Sequence, residues 1–143
     1  HTMRVIVSFS DLVGTTTAAH VHCCTAPPGN VGVATQTPSF LGFPLGVTAG
    51  TYDSTFDTTL ASTFNATFLN GNGGTPAAAE AALLAGLLAG NAYFNIHTSF
   101  RGSGEIRGFL VQRVPEPSTV LLVGLGMLVL TLASRRRFAP ARR

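Results

Sequence analysis

Charge is scarce in this chain: only 10% of its residues are charged, and six are acidic. What charge there is lies unevenly. Up to Arg113, four arginines face five acids (Asp11, Asp53, Asp57, Glu80 and Glu105), a net of −1, whereas beyond it five arginines face Glu116 alone, a net of +4. The overall charge of +3 therefore belongs to the tail. The body lacks the basic stripe that phosphate backbones require, which sets nucleic acid aside as a partner. The shortage of acids also weakens a paired-carboxylate hydrolase, since Glu105 has no obvious acidic partner. No serine or threonine lies in a nucleophile-elbow pattern, and the glycine-rich NGNGGTP lacks the lysine of a phosphate loop. A non-enzymatic protein is expected. No internal repeat is visible. The opening TMRVIVSFS alternates like a strand instead of showing a charged start and an apolar run. We read the N-terminus as truncated, with any export signal upstream.

A length of 143 residues and 45% hydrophobic content provide one core, so one domain plus an appendage is expected. Short strands punctuated by Gly, Pro and Asn dominate up to Arg113. In TYDSTFDTTL, Tyr52, Ser54, Phe56, Thr58 and Leu60 fall on one face and Thr51, Asp53, Thr55, Asp57 and Thr59 on the other, the period of a half-buried strand. Similar patterns predict strands over 3–10, 18–22, 92–98 and 105–111. Residues 26–46, broken by prolines and glycines, read as a long irregular connection with an edge strand around 31–35. One helix is expected: Thr75 suits an N-cap, Pro76 the first turn, and AAAEAALLAGLLAG runs to Gly90 as C-cap. Its wide apolar side predicts packing against the sheet.

The tail has a different grammar. Pro115, Glu116 and Pro117 hold the chain extended and exposed. Residues 119–133 carry no charge, and Arg135, Arg136 and Arg137 follow Ser134 as a stop-transfer cluster that stays cytoplasmic. Fifteen residues fall short of the roughly 20 that cross a bilayer comfortably, so this is a marginal span aided by thinning or snorkelling. A buried core helix and a plain single-pass anchor are the competing readings. The order Val114-Pro-Glu-Pro-Ser118, apolar helix, Arg cluster resembles the PEP-CTERM sorting signal of Gram-negative bacteria. That resemblance implies an exosortase-type membrane transpeptidase as partner and passage through the inner membrane. It further implies a final place at the cell surface or outside it, often with extracellular polysaccharide or biofilm matrix. The sequon Asn65-Ala-Thr67 is read as accidental in that setting.

The remaining signals are histidines and cysteines. His20 and His22 are two apart on a strand and share a face, with Val21 opposite; on a second strand Tyr93, Asn95 and His97 face away from Phe94 and Ile96. The three imidazoles converge if those strands are neighbours. Two readings stay open. One is a metal site of His20, His22 and His97 for zinc or copper, whose ligand preferences neutral imidazole meets. The other is a structural polar cluster of these histidines with Asn95, Glu105 and Arg107 that pins strand pairing. Glu105 and Arg107, two apart, are expected to form a surface salt bridge. Cys23 and Cys24 are adjacent, and alternation turns one sulfur inward and the other toward the histidines. Cys24 as a fourth ligand, a disulfide, and free thiols are all open readings.

The pieces AHVH (19–22), YFNIHT (93–98) and GEIRGFL (104–110) together resemble the CHRD domain, first described in chordin and common in exported bacterial proteins. Cys23 and Cys24 depart from that family, where Gly and Pro are more usual. The resemblance implies an all-β fold of poorly defined biochemical role. The expected architecture is mainly β: an antiparallel, Greek-key-like β-sandwich with one packed α-helix over 1–113, followed by a sorting tail with a transmembrane helix over 114–143.

Overall fold

A computed structural model describes residues 1–112 and Met127 of the chain. Strand β1 spans Thr2–Phe9, β2 Thr16–Cys23, β3 Gly50–Asp57, β4 Ala92–Thr98 and β5 Ile106–Phe109; helix α1 spans Ala66–Gly71 and α2 Pro76–Leu88. Among the described residues all strand pairing is antiparallel, in two sheets ordered β1-β3 and β2-β4-β5. The fold of His1–Gln112 is thus mainly β with few helices.

The alternation in β3 is realised: Tyr52 and Phe56 are buried, while Thr51, Asp53, Thr55 and Asp57 are exposed. Its partner β1 turns Val5 and Phe9 into the same core. From the other sheet Ala19, Val21, Cys23, Ala92 and Ile96 join them, and aromatic rings fill the centre, with Phe40 packed at 5.1 Å from Phe56 and stacked at 6.1 Å on Phe94. Burial of this apolar surface is the main driving force, at roughly 25 cal/mol per Å². Strands β1 and β5 each have one named neighbour, and between them opens a cavity of about 610 Å³ lined chiefly by apolar side chains, among them Met3, Val7, Phe94 and Leu110.

Helix α2 begins as its sequence dictates. The Thr75 hydroxyl accepts from the Ala78 N–H, and Pro76 occupies the first turn, where its missing N–H costs nothing. At the other end Ala89 is the cap and Gly90 follows with φ +69°, the left-handed conformation that lets Asn91 N–H bond back to the Gly86 carbonyl at 2.8 Å. Gly90 thus stands one place beyond its expected capping position. Ala79 and Leu83 bury the inner face.

Two expectations are corrected. The protein has a second helix, α1, whose N-cap is Asn65: its side-chain oxygen accepts from Thr67 and Phe68 N–H. Six residues carry too little periodicity to announce a helix, and the Asn-Ala-Thr that starts it read as a chance sequon. The edge strand expected around 31–35 reduces to isolated bridges, His22 to Val33 and Thr35 to Phe64. Among the described residues no helix is long and apolar enough to cross a membrane. The expected transmembrane segment and the motif residues Pro115, Glu116, Pro117, Arg135, Arg136 and Arg137 lie outside the described residues.

Candidate functional site

Strands β2 and β4 are neighbours, and their register sets His20 opposite Asn95, His22 opposite Tyr93 and Ala18 opposite His97. Directly opposed residues share a face of the sheet. The three imidazoles therefore emerge together, on the face turned away from Val21, Phe94 and Ile96. Ring centroids are 5.0 Å apart for His20 and His97, and 5.9 Å apart both for His22 and His97 and for His20 and His22. One ring nitrogen from each residue lies within 4.8 Å of the others.

Each ring is fixed by its own backbone carbonyl, two from the connection between β2 and β3 and one from the turn between β4 and β5. His20 Nε2 meets Pro38 O at 2.6 Å, His22 Nδ1 meets Val31 O at 2.8 Å, and His97 Nδ1 meets Gly102 O at 2.8 Å. A carbonyl only accepts, so the nitrogen bound to it carries the hydrogen. The nitrogens left over are His20 Nδ1, His22 Nε2 and His97 Nε2. His20 Nδ1 and His97 Nε2 are 3.2 Å apart, and Asn95 Nδ2 stands 3.4 Å from the latter. His22 Nε2 is buried and has no hydrogen-bond partner among the described residues. Burial holds both His20 and His22 below the ordinary histidine pKa, against the opposing pull of the Pro38 and Val31 carbonyls.

Further groups hold this arrangement. The Tyr93 ring stacks on His22 at 4.8 Å, and its hydroxyl donates to Val31 O at 3.2 Å. Arg107 lies over Tyr93, 5.0 Å from the ring centre. Its guanidinium donates to Pro28 O at 2.8 Å, Gly29 O at 3.2 Å and Asn30 Oδ1 at 2.5 Å. The loop that supplies the Val31 carbonyl is thus clamped onto the sheet. Asn95 donates to Ser103 O at 3.3 Å, in the turn that presents Gly102 O to His97.

Glu105 and Arg107 do not pair with each other. The Glu105 carboxylate accepts from Val13 N–H at 2.6 Å, Gly14 N–H at 3.0 Å and the Thr98 hydroxyl at 2.7 Å. The Thr98 hydroxyl, followed by those N–H groups, holds its pKa below the ordinary carboxylate range. Spacing two apart placed both side chains on one face, but each has a loop within closer reach. Glu105 and Arg107 therefore act as separate braces, and only Asn95 of the three expected cluster residues contacts a histidine ring nitrogen.

For the cysteines, one of the three open readings is realised. Cys23 and Cys24 are joined in a disulfide, and Cys24 is not a member of the histidine group. Both sulfurs sit against Gly86 of α2, where a side-chain carbon would strike them. Sequence reasoning missed the Pro38, Val31 and Gly102 carbonyls and the stacking role of Tyr93. No residue type signals a carbonyl donor, although the prolines and glycines of 26–46 mark the irregular backbone that supplies two of them.

Residues 1–110 match the CHRD domain family, and residues 113–137 match the PEP-CTERM protein-sorting motif. No curated protein and no solved structure matches the chain. The sorting motif supports an exported protein that transits the membrane toward the cell surface, and it implies processing by exosortase-type membrane machinery. With the family match covering most of the sequence and the three histidines gathered on β2 and β4, the chain belongs to the CHRD-domain family.

Proposed function

We propose that this protein is a non-enzymatic structural or binding module that acts at the cell surface or in the extracellular matrix once its tail has been processed. The observation that carries the reading is the sorting motif at 113–137, which follows directly on the CHRD match at 1–110. An exosortase acts near Pro115-Glu116-Pro117 while residues 119–133 lie in the inner membrane and Arg135, Arg136 and Arg137 hold the cytoplasmic side. The domain remains outside, where extracellular polysaccharide is the partner class we favour. A scaffolding role is supported by how the polar residues of the sheet are used: Glu105, Arg107 and Asn95 all engage loop backbone and hold those loops in place.

The test is the C-terminal mass of the native protein from cells with and without the exosortase. Truncation near residues 114–118 in the first and an intact Arg143 in the second are expected. An intact terminus in both, with the protein inside the cell, would overturn the reading.

A further inference from the structure

The left-over nitrogens of the histidine group pose an electrostatic problem. His20 Nδ1 and His97 Nε2 face each other at 3.2 Å, a hydrogen-bond distance, yet each ring already spends its hydrogen on a carbonyl, Pro38 O for one and Gly102 O for the other. Two lone pairs then face each other with no hydrogen between them, and among the described residues the one donor near the pair is the Asn95 amide, a long 3.4 Å from His97 Nε2. The third nitrogen, His22 Nε2, belongs to a residue only 8% exposed and has no hydrogen-bond partner among the described residues, while the ring's hydrogen goes to Val31 O. Buried polar atoms are nearly always satisfied. Such an arrangement calls for a positive centre shared by the three nitrogens.

We propose that His20 Nδ1, His22 Nε2 and His97 Nε2 form a binding site for one divalent transition-metal ion of the copper and zinc class. An all-imidazole set suits these ions and selects against the hard cations that want oxygen. A ring N–H bound to a backbone carbonyl is the usual outer support of a metal-ligating histidine: it fixes the tautomer, orients the ring and raises the basicity of the ligating nitrogen. Here three separate carbonyls do this for three rings. The ligands are also preorganised, because two sit on one strand of the sheet and the third on its hydrogen-bonded neighbour. Tyr93, stacked on His22, and Arg107, which clamps the loop of Val31, are positioning residues for the site. Three protein ligands would leave a further coordination position for an exchangeable ligand. With the sulfur of Cys24 tied to Cys23, all the protein ligands are nitrogen. The site is independent of the sorting reading, since it would bind metal whether or not the tail is cut.

The experiment uses the full chain in a mild detergent, stripped with a chelator and titrated with copper(II) or zinc(II) chloride in a non-coordinating buffer. One equivalent of either ion should bind, with copper the tighter by the general affinity order. The copper(II) electron paramagnetic resonance spectrum should carry nitrogen superhyperfine structure from three imidazoles. His22→Phe should weaken binding at least ~100-fold and Arg107→Ala about 10-fold, the latter being the loss expected when an outer support goes. His1→Ala, at an exposed residue outside the group, should leave stoichiometry and spectrum unchanged. Failure of the unmodified protein to take up one equivalent, or a spectrum without imidazole nitrogen coupling, would overturn the proposal. So would a spectrum that persists when His20 and His22 are both replaced. Because the unmodified protein supplies the first two readouts, a variant that fails to fold cannot shield the idea.

Discussion

Replacing Gly86 by alanine sets two quantifiable effects against each other. Gly86 lies within α2, and Gly→Ala in a helix interior ordinarily stabilises by roughly 0.5–1 kcal/mol through backbone entropy. Here the added carbon would overlap Cys23 Sγ and come to 2.6 Å from Cys24 Sγ and 3.4 Å from Cys24 Cβ. Nonbonded carbon contacts are comfortable at about 3.5–4.0 Å, so the helix or the disulfide must retreat by about an ångström. Both are held: Ala79 and Leu83 anchor the helix in the core, and Cys23 ends β2 opposite Ala92. Overpacking of this kind costs about 1–3 kcal/mol, which set against the propensity gain of roughly 0.5–1 kcal/mol leaves Gly86→Ala destabilised by up to about 2.5 kcal/mol, centred on about 1 kcal/mol. For a folded unit of this size the melting temperature should fall by several degrees. Thermal unfolding followed by near-ultraviolet circular dichroism, in mild detergent without reductant, reads this directly. Reduction should narrow the gap between variant and parent, because separated thiols can move independently. Gly71→Ala, where nothing among the described residues lies within 4 Å of the new carbon, is the control that should not lose stability. A Gly86→Ala protein as stable as its parent would refute the claim that the helix rests directly on the sulfurs.

Other outcomes follow from the same contacts. Gly104→Ala should cost about 1–3 kcal/mol from its φ of +113° alone, with a further loss because the new carbon runs into the Asn95 side chain; a parental melting temperature would contradict it. Asn65→Ala should cost about 0.5–2 kcal/mol by uncapping α1, seen as faster amide exchange at Thr67 and Phe68. For the chelator-stripped protein, His20 and His22 titrate below the ordinary histidine value when folded. Their contribution is therefore complete above about pH 6.5 and is lost as pH falls through the folded values, with a slope of at most about 1.4 kcal/mol per pH unit for each extra proton bound on unfolding. Chemical denaturation between pH 7.5 and 5 measures it, and a flat profile would contradict the burial of these rings. The depressed Glu105 carboxyl acts in the same direction at lower pH, since stability it provides above the ordinary carboxylate range is lost on protonation.

Much of the sheet was legible because period-two alternation survives translation into burial, as in Tyr52 and Phe56 against Asp53 and Thr55. The face shared by His20, His22 and His97 was legible for the same reason, although their meeting depended on β2 lying beside β4, which no local pattern dictates. The bond partners were less accessible. Glu105 and Arg107 obeyed the spacing rule and still parted, because a carboxylate near two free N–H groups and a guanidinium near two carbonyls and an aromatic face have better local options than each other. Helix α1 escaped notice since a single turn and a half is specified by its cap more than by any repeating pattern. The disulfide was an open alternative, as adjacency alone does not decide between bonded and free thiols.

Long irregular segments are normally where a protein accepts foreign peptide without complaint. Between 24 and 46 this one would not, since the stretch is stitched to the sheet through Val31 and Pro38 and threaded under Arg107. An epitope tag placed there would loosen two imidazoles at once, whereas the exposed glycines at 71–74 offer a place where the same tag would leave them untouched.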